Sequence, residues 1–184
     1  MTFLNTWVGG TDTDFGTAAN WSTEEDEVSI TNRVPVLTDD VLIPNVTNDP
    51  VLDTDRTINS LTIASGGNLD GDGNELTIDG EADGTGATTN GYAVRLETGS
   101  IITGTDTDIT ITLASAATNV YFQPTTGALR NITINGSGNT VNLRNATSIT
   151  GNLTITAGTL DTTGSNLALT VTGVTTVGDG SSGA

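Results

Sequence analysis

Residues 129–155 read LRNITINGSGNTVNLRNATSITGNLTI, and this stretch decides the fold. It contains an apolar-Thr-apolar tripeptide twice, at Ile132-Thr133-Ile134 and at Leu153-Thr154-Ile155, with Asn, Gly and Ser between the copies. In a β-strand the two apolar side chains of such a tripeptide point to one face, and the threonine points to the other. Gly and Asn are residues that form turns. The stretch therefore predicts short, half-buried strands joined by tight turns.

The tripeptide recurs along most of the chain. The steps between successive first positions are 15, 33, 23, 21 and 16 residues, and the further copies are Leu61-Thr62-Ile63, Leu76-Thr77-Ile78, Ile109-Thr110-Ile111 and Leu169-Thr170-Val171. One turn of a β-solenoid uses roughly 20 residues, so each copy is expected to stack on the previous one as a parallel rung. The longest step then holds an insertion or a divergent rung near Tyr92–Leu96.

The predicted fold class is all-β: a right-handed parallel β-helix (β-solenoid) with an N-terminal capping region. The middle threonine of each tripeptide is expected to face outward. A β-sandwich is the alternative, because short strands separated by regular turns suit both architectures. No stretch repeats apolar residues at the three- and four-residue steps of a helix. The hydrophobic content of 34% favours a thin core that is repeated along an axis.

Composition divides the chain into three regions. Residues 1–57 hold both tryptophans and most of the prolines, which suits an N-terminal cap and attachment region. Residues 58–177 supply the rungs, and residues 178–184, which read GDGSSGA, form a flexible tail or linker. Asn side chains are expected to stack in ladders at the turns between rungs, at positions 131, 135, 142, 145 and 152.

Charge and residue usage exclude several functions. The chain has 22 Asp plus Glu against 5 Lys plus Arg, which gives a net charge of −17. Binding to nucleic acid or insertion into a membrane is therefore not expected. The chain has no Cys, no His and no Lys, so thiol chemistry, a Ser-His-Asp triad, a Schiff-base lysine and a histidine-ligated zinc are excluded. If Met1 is the true start, the N-terminus carries no ordinary signal peptide.

The N-terminal third resembles a known class of repeat. TWVGGTDTDFGTAANWS (6–22), VLTDDVLIPNVTNDPVL (36–52) and INSLTIASGGNL (58–69) are similar to the opening of β-solenoid repeats in bacterial surface adhesins and in phage structural and tail-fibre proteins. The resemblance implies a solenoid architecture more than a particular activity. It rests on Trp7, Gly9, Asn20, Trp21, Asp39, Asp40, Val41, Ile43, Pro44 and Leu61 to Ile63.

The segment Asp70-Gly71-Asp72-Gly73-Asn74 suggests a calcium site. Asp70, Asp72 and Asn74 supply oxygen ligands, and Glu81 stands at the twelfth position, as the last ligand does in a calcium-binding loop. Glu75 occupies the place where such a loop needs a glycine. The alternative is a solenoid corner that uses the same turn-forming residues. Ca²⁺ is the sole cofactor that the sequence suggests.

Two further groups of residues have functional interpretations. Trp7 and Trp21 either stack on a carbohydrate or pack inside the cap. Paired carboxylates could cleave glycosides, as they do in β-helical carbohydrate-active enzymes. We expect no catalysis, because the arginines are scattered and no aromatic groove is evident. The carboxylate candidates are Asp39 with Asp40, Asp53 with Asp55, and Asp70 with Asp72.

The predicted function is that of a non-enzymatic virion structural protein: a phage tail fibre, a spike or a capsid-attached (decoration) component with a role in host-surface adhesion. The alternatives are a bacterial cell-surface or matrix adhesin and a β-helical carbohydrate-active enzyme. The expected partners are other virion structural proteins, further copies of the chain in a homotrimer, and a cell-surface glycan. The expected location is the virion, with the extracellular space or the cell surface as the alternative.

Overall fold

The computed structural model describes residues 3–25, 28–29, 32–82, 91–97, 101–103, 107–114, 119–124 and 129–178. The all-β prediction is confirmed: the strands form a curled, mostly parallel sheet. Within the described residues the only helical segments are single 3-10 turns at Ala18–Asn20 and Thr163–Ser165.

The strands are short and are spread evenly along the chain. In chain order they are β1 (Phe3–Trp7), β2 (Trp21–Glu25), β3 (Val28–Ser29), β4 (Asp39–Ile43), β5 (Arg56–Ile58), β6 (Ser60–Ile63), β7 (Asn68–Asp70), β8 (Glu75–Ile78), β9 (Tyr92–Leu96), β10 (Ile101–Thr103), β11 (Asp108–Ile111), β12 (Asn119–Gln123), β13 (Asn131–Leu143), β14 (Thr147–Ile149), β15 (Leu153–Asp161), β16 (Leu169–Val171) and β17 (Thr175–Val177).

Most strands belong to one of two parallel stacks. The first stack runs β1, β4, β6, β9, β12 and then the second halves of β13 and β15. The second stack runs β5, β8, β11, the first halves of β13 and β15, and β17. Because β13 and β15 each contribute to both stacks, the two stacks join into one curled sheet. This pairing does not fit an antiparallel sandwich.

A third stack consists of smaller parallel pairs. Strand β7 pairs with β10, and β14 pairs with β16. Single parallel bridges add Val51 next to Asp70, and Leu129 next to Ile149. Successive strands along the chain belong to the first, the third and the second stack in turn, as β6, β7 and β8 do.

The repeated tripeptides do not form a single column, so that expectation is wrong. Leu76, Ile109, Ile132 and Leu153 pair in register in the second stack. The copy that begins at Leu61 lies instead in the first stack, and the copy that begins at Leu169 lies in the third. The steps of 15 and 16 residues therefore connect strands of different stacks.

The longest step contains an insertion rather than a divergent rung. Leu76 and Ile109 are direct partners in adjacent strands, so no rung of the second stack separates them. The strand Tyr92–Leu96 belongs to the first stack, where it pairs with β6 and β12. Part of the insertion, residues 83–90, lies outside the described residues.

The core is a set of ladders built from the inward positions of the stacks. In the second stack Ile58, Ile78, Ile111 and Ile134 pair in register, and each is fully buried. The outward threonines between the apolar positions are half-buried in β6, β8, β11 and β13, which confirms the predicted alternation. Burial decreases toward β17, where Val177 is 75% exposed.

Asn131 and Asn152 form hydrogen bonds with backbone N–H groups. The sequence had suggested a ladder in which asparagine side chains bond to one another. The Asn152 backbone N–H donates to Asn131 Oδ1 at 2.8 Å, and the Val174 N–H donates to Asn152 Oδ1 at 2.9 Å. Each side chain therefore accepts a hydrogen bond from a backbone N–H that lies 21 or 22 residues further along the chain. These side chains bind backbone rather than one another, and neither residue is buried.

Parallel stacking begins before residue 58. Strand β1 pairs in parallel with β4, while β2 and β3 add antiparallel strands at that end of the sheet. The boundary that the composition suggested at residue 58 therefore does not coincide with a change in how the strands pair. Of the proposed tail, residues 179–184 lie outside the described residues.

Candidate functional site

The two tryptophans pack inside the N-terminal region. Trp7, Trp21 and Phe15 are all fully buried, and the Trp21 ring lies 4.9 Å from the Trp7 ring and 4.6 Å from the Phe15 ring in edge-to-face contacts. Trp7 Nε1 donates to the Asn48 carbonyl at 2.6 Å, and Trp21 Nε1 donates to the Phe15 carbonyl at 2.8 Å. Neither indole offers a free face to a carbohydrate, so these residues fit the capping interpretation.

A buried ion pair joins the same region to the first stack. Asp39 is fully buried, and its carboxylate accepts hydrogen bonds from both terminal nitrogens of Arg33 at 2.5 and 2.6 Å. It also accepts from Asn5 Nδ2 and from the Val36 backbone N–H. This saturated carboxylate is part of the core and is not available for chemistry at the surface.

The candidate carboxylates make separate contacts in the structure. Strand β4 alternates, so Asp39 points inward while the neighbouring Asp40 points outward. Asp53 forms an ion pair with Arg56, and Asp55 accepts from the Glu75 backbone N–H at 2.8 Å. These carboxylates hold turns and strands together, which is the ordinary role of Asp in a turn-rich chain.

The candidate calcium ligands form a hydrogen-bonded turn. Asp70 Oδ1 accepts from the Asp72 N–H at 3.0 Å, and Asn74 Nδ2 donates to the Leu52 carbonyl at 2.8 Å. Asp72 has a φ of 46°, in the left-handed region. Glu81 accepts from the Gly91 N–H. Among the described residues no three Asp, Glu, His or Cys side chains converge as a metal site would require. The calcium site stays a prediction.

An outward groove crosses the first stack. It has a volume of about 490 Å³ and is lined by Leu4, Asp40, Val41, Leu42, Ser60, Thr62, Ala82 and Arg95. Leucine side chains form the apolar part of its wall, while Asp40, Ser60, Thr62 and Arg95 supply polar groups. Asp40 is held in place by hydrogen bonds from Asn59 Nδ2 at 2.8 Å and Ser60 Oγ at 2.6 Å. The volume is in the range of small-molecule sites in proteins.

A β-bulge turns Arg95 toward this groove. The pairing of β9 with β12 shifts register, so that Tyr121 is opposite Tyr92 and Phe122 is opposite Val94. Ala93 and Val94 are consequently both buried, while Tyr92 and Arg95 both face outward. Without the extra residue, strict alternation would place Arg95 inside. Bulges commonly re-aim side chains next to functional sites.

Beside the groove lies a surface patch that we call the tyrosine–arginine platform. It consists of residues on β9, β12 and the end of β13, together with Arg144, which directly follows β13: Tyr92, Tyr121, Asn142, Arg95, Gln123 and Arg144. Tyr92 and Tyr121 are in edge-to-face contact, with 5.2 Å between ring centroids. The Arg144 guanidinium carbon lies 4.2 Å from the centre of the Tyr121 ring, and that of Arg95 lies 5.3 Å from the centre of the Tyr92 ring.

Arg144 differs from the other arginines in its partners. Arg33, Arg56, Arg95 and Arg130 form ion pairs with Asp39, Asp53, Glu97 and Asp108 respectively. Arg144 is exposed and has no carboxylate within ion-pair distance in the described part of the chain. In a protein of net charge −17, it is unusual that the partner of an arginine within the described residues is an aromatic ring rather than a carboxylate.

The platform and the groove were not predicted from the sequence, which directed attention to Trp7 and Trp21. One feature of the sequence pointed to the platform: the chain has only 2 tyrosines, and their separation is comparable to the spacing of the repeated tripeptides. The bulge that aligns Tyr92 with Tyr121 depends on strand pairing and cannot be read from the local sequence.

The chain was compared with family models, with curated proteins and with solved structures, and none of them matched. In the part that the structure describes, no helix has the length and hydrophobicity needed to cross a membrane. Chemically, the outward face of the first stack offers planar aromatic rings, amides, hydroxyls, guanidinium groups and the Asp40 carboxylate, which are groups that can contact a polar ligand.

Proposed function

We propose that the three stacks are the faces of a right-handed parallel β-helix. The fixed visiting order of the stacks supports this, because each circuit through first, third and second stack returns the chain beside its previous coil. The in-register apolar ladders give such a helix a continuous core. Each circuit advances the chain by one strand spacing of about 4.8 Å, which produces a rigid rod.

The function that follows is that of a non-enzymatic structural and adhesive protein, and we assign it to the surface of a virion as a fibre, spike or capsid-attached component. The observation that carries the structural role is the repeated parallel register of the second stack across β5, β8, β11, β13, β15 and β17. The outward groove and the platform supply the adhesive face, whose ligand is a cell-surface glycan.

Catalysis is not part of this proposal. The hydrogen bonds of Asp39, Asp53, Asp55 and Asp70 hold strands and turns, and Asp40 is fixed by Asn59 and Ser60. A glycosidase of this architecture needs two carboxylates that face each other across one cleft. The enzyme alternative therefore receives no support from any pair that the sequence suggested.

We further propose that the rod assembles as a homotrimer. The second stack presents in-register threonines at 77, 110, 133 and 154, and this regular column suits a packed contact between identical faces. Closed cyclic symmetry would bury that face equally in every copy.

Three measurements test the proposal. Electron microscopy of the purified chain should show short rods, and light scattering coupled to size exclusion should give a trimer mass. Incubation with acidic and neutral polysaccharides should release no reducing ends. Globular particles or polysaccharide cleavage would refute the proposed function, and a monomer mass would refute the trimer alone.

The remaining question is whether the surface is that of a virion or a cell. Antibodies raised against the chain should label purified virions from the source culture. Labelling confined to the bacterial cell wall would favour the adhesin instead.

A further inference from the structure

We propose that the tyrosine–arginine platform binds a carboxylated glycan, with the Arg144 guanidinium pairing with the sugar carboxylate. This rests on the proposed adhesive function and specifies the ligand class of the same face.

The geometry of the platform suits a short stretch of saccharide. Its side chains form two parallel rows across three adjacent strands: Tyr92, Tyr121 and Asn142 in one row, and Arg95, Gln123 and Arg144 in the other. Three strands at a spacing of about 4.8 Å make the surface about 10 Å long, which is the scale of a disaccharide. The inward neighbours Val94, Val120, Phe122 and Leu143 are buried, which fixes the backbone beneath the platform.

The chemistry of the platform favours a sugar over a peptide or a hydrocarbon. Each tyrosine ring has a guanidinium over one face, and its other face and its hydroxyl edge are the parts that can contact a pyranose. The Gln123 amide can donate and accept, and Asn142 Oδ1 can accept, as neighbouring sugar hydroxyls require. Asn142 is held in position by a hydrogen bond from its Nδ2 to the Val120 carbonyl at 3.2 Å.

The arginine charges of the platform favour an acidic sugar over a neutral one. Arg95 already has a carboxylate partner, Glu97, at 3.3 Å. Arg144 has no such carboxylate among the described residues, and its guanidinium carbon lies 4.2 Å from the centre of the Tyr121 ring. Because its side chain is exposed, it is the cation of the platform that a ligand anion can pair with. A guanidinium donates two parallel hydrogen bonds to a carboxylate, which is its preferred partner. The ligand that completes this site is therefore an anion carried on a sugar.

The net charge of −17 does not forbid this binding. At physiological ionic strength the Debye length is about 8 Å, so distant carboxylates are screened while a direct contact with Arg144 is not. Association is slowed by the overall charge, but the contact itself is local.

Isothermal titration calorimetry with the full chain tests the inference. The probes are sialyllactose and a trigalacturonate, each compared with its neutral counterpart, lactose and the methyl-esterified trigalacturonate. We expect at least one carboxylated probe to bind more tightly than its neutral counterpart. The Arg144→Gln variant should lose about tenfold in affinity for that probe, since hydrogen bonds to charged groups are lost. Its affinity for the neutral counterpart should not change.

Two control variants make the result specific. Arg130→Gln removes the same charge from the second stack, where Arg130 pairs with Asp108, and should leave glycan affinity unchanged. Arg144→Lys keeps the charge without the planar fork and should recover only part of the affinity. Binding of neither carboxylated probe, or equal affinity of the wild-type chain for carboxylated and neutral probes, would overturn the inference. Those results would leave the rod and the absence of catalysis standing, because microscopy and cleavage assays test them separately.

Discussion

Truncation of Ile134 to alanine should destabilise the protein strongly, and the size of the effect follows from its position in the core. Ile134 is fully buried and pairs in register with Ile111 on one side and Ile155 on the other. The substitution deletes three carbons, each worth about 0.8 kcal/mol of transfer free energy. The cavity left between β13 and the strands paired with it adds to this, so we expect a loss of about 3–4 kcal/mol in the free energy of unfolding.

Two neighbouring positions supply matched comparisons. Ile155 is half-buried, because the next residue in its ladder is Val177, which is 75% exposed. Ile155→Ala should therefore cost about 1–2 kcal/mol, roughly half the loss at Ile134. Thr133 faces outward between the two buried isoleucines of β13. Thr133→Ala should cost less than about 1 kcal/mol, mainly through lower strand propensity.

Urea unfolding followed by circular dichroism measures all three variants. If the slope with denaturant concentration is unchanged, the shift of the midpoint gives the loss of stability directly. The expected order of losses is Ile134, then Ile155, then Thr133. Equal losses at Ile134 and Thr133 would show that the register of β13 is wrong. A loss at Ile155 as large as that at Ile134 would show that this end of the sheet, at β15 and β17, is covered in solution, for example by another copy of the chain.

Three further predictions concern single contacts. Asp39→Asn removes the buried partner of Arg33 and should cost about 3 kcal/mol in urea unfolding. Gly151→Ala should lower the melting temperature, because the new Cβ would lie 2.6 Å from the Arg130 carbonyl oxygen. Hydrogen bonds from the Thr163 hydroxyl and N–H lower the pKa of Asp161 below 3.8, so Thr163→Val should raise that pKa toward its ordinary value in an NMR titration.

Each of these predictions has its own control. Asp53→Asn breaks a more exposed ion pair and should cost less than about 1 kcal/mol. Gly164→Ala introduces a Cβ that meets nothing within 4 Å and should leave the melting temperature nearly unchanged. The hydrogen bonds of Asp161 favour folding above pH 3.8 and are lost as pH falls through the lowered pKa. An unchanged Asp161 titration in Thr163→Val, or a Gly164 variant as unstable as the Gly151 variant, would contradict these assignments.

The sequence predicted the local strands well because alternation of apolar and polar residues is a local property. Leu76-Thr77-Ile78 and Ile132-Thr133-Ile134 both form strands with the expected inward and outward positions. It did not predict which strands stack together. A tripeptide such as Leu61-Thr62-Ile63 has the same alternation in any stack, and its assignment depends on the turns that precede it.

The candidate site was harder to predict because it is made of residues that are far apart in the chain. Tyr92, Tyr121 and Arg144 become neighbours only when three strands pair in the register observed. A bulge at Ala93 then decides that Arg95 faces outward. The sequence did identify Trp7 and Trp21 as either ligand-binding or capping residues, and only their complete burial favours capping.

The platform stands out because the fold places few demands on outward positions. Most inward positions carry apolar side chains, since they complete ladders between adjacent strands. Outward positions need only suit a strand in water, and threonine does so at 77, 110, 133 and 154 of the second stack. Paired tyrosines, two arginines and a bulge are not needed to build a strand, and the bulge interrupts the regular pairing. We therefore relate their concentration on one part of the first stack to the proposed glycan ligand. If Tyr92→Thr and Arg144→Thr together left unfolding by urea unchanged while glycan binding disappeared, the two roles would be separated directly.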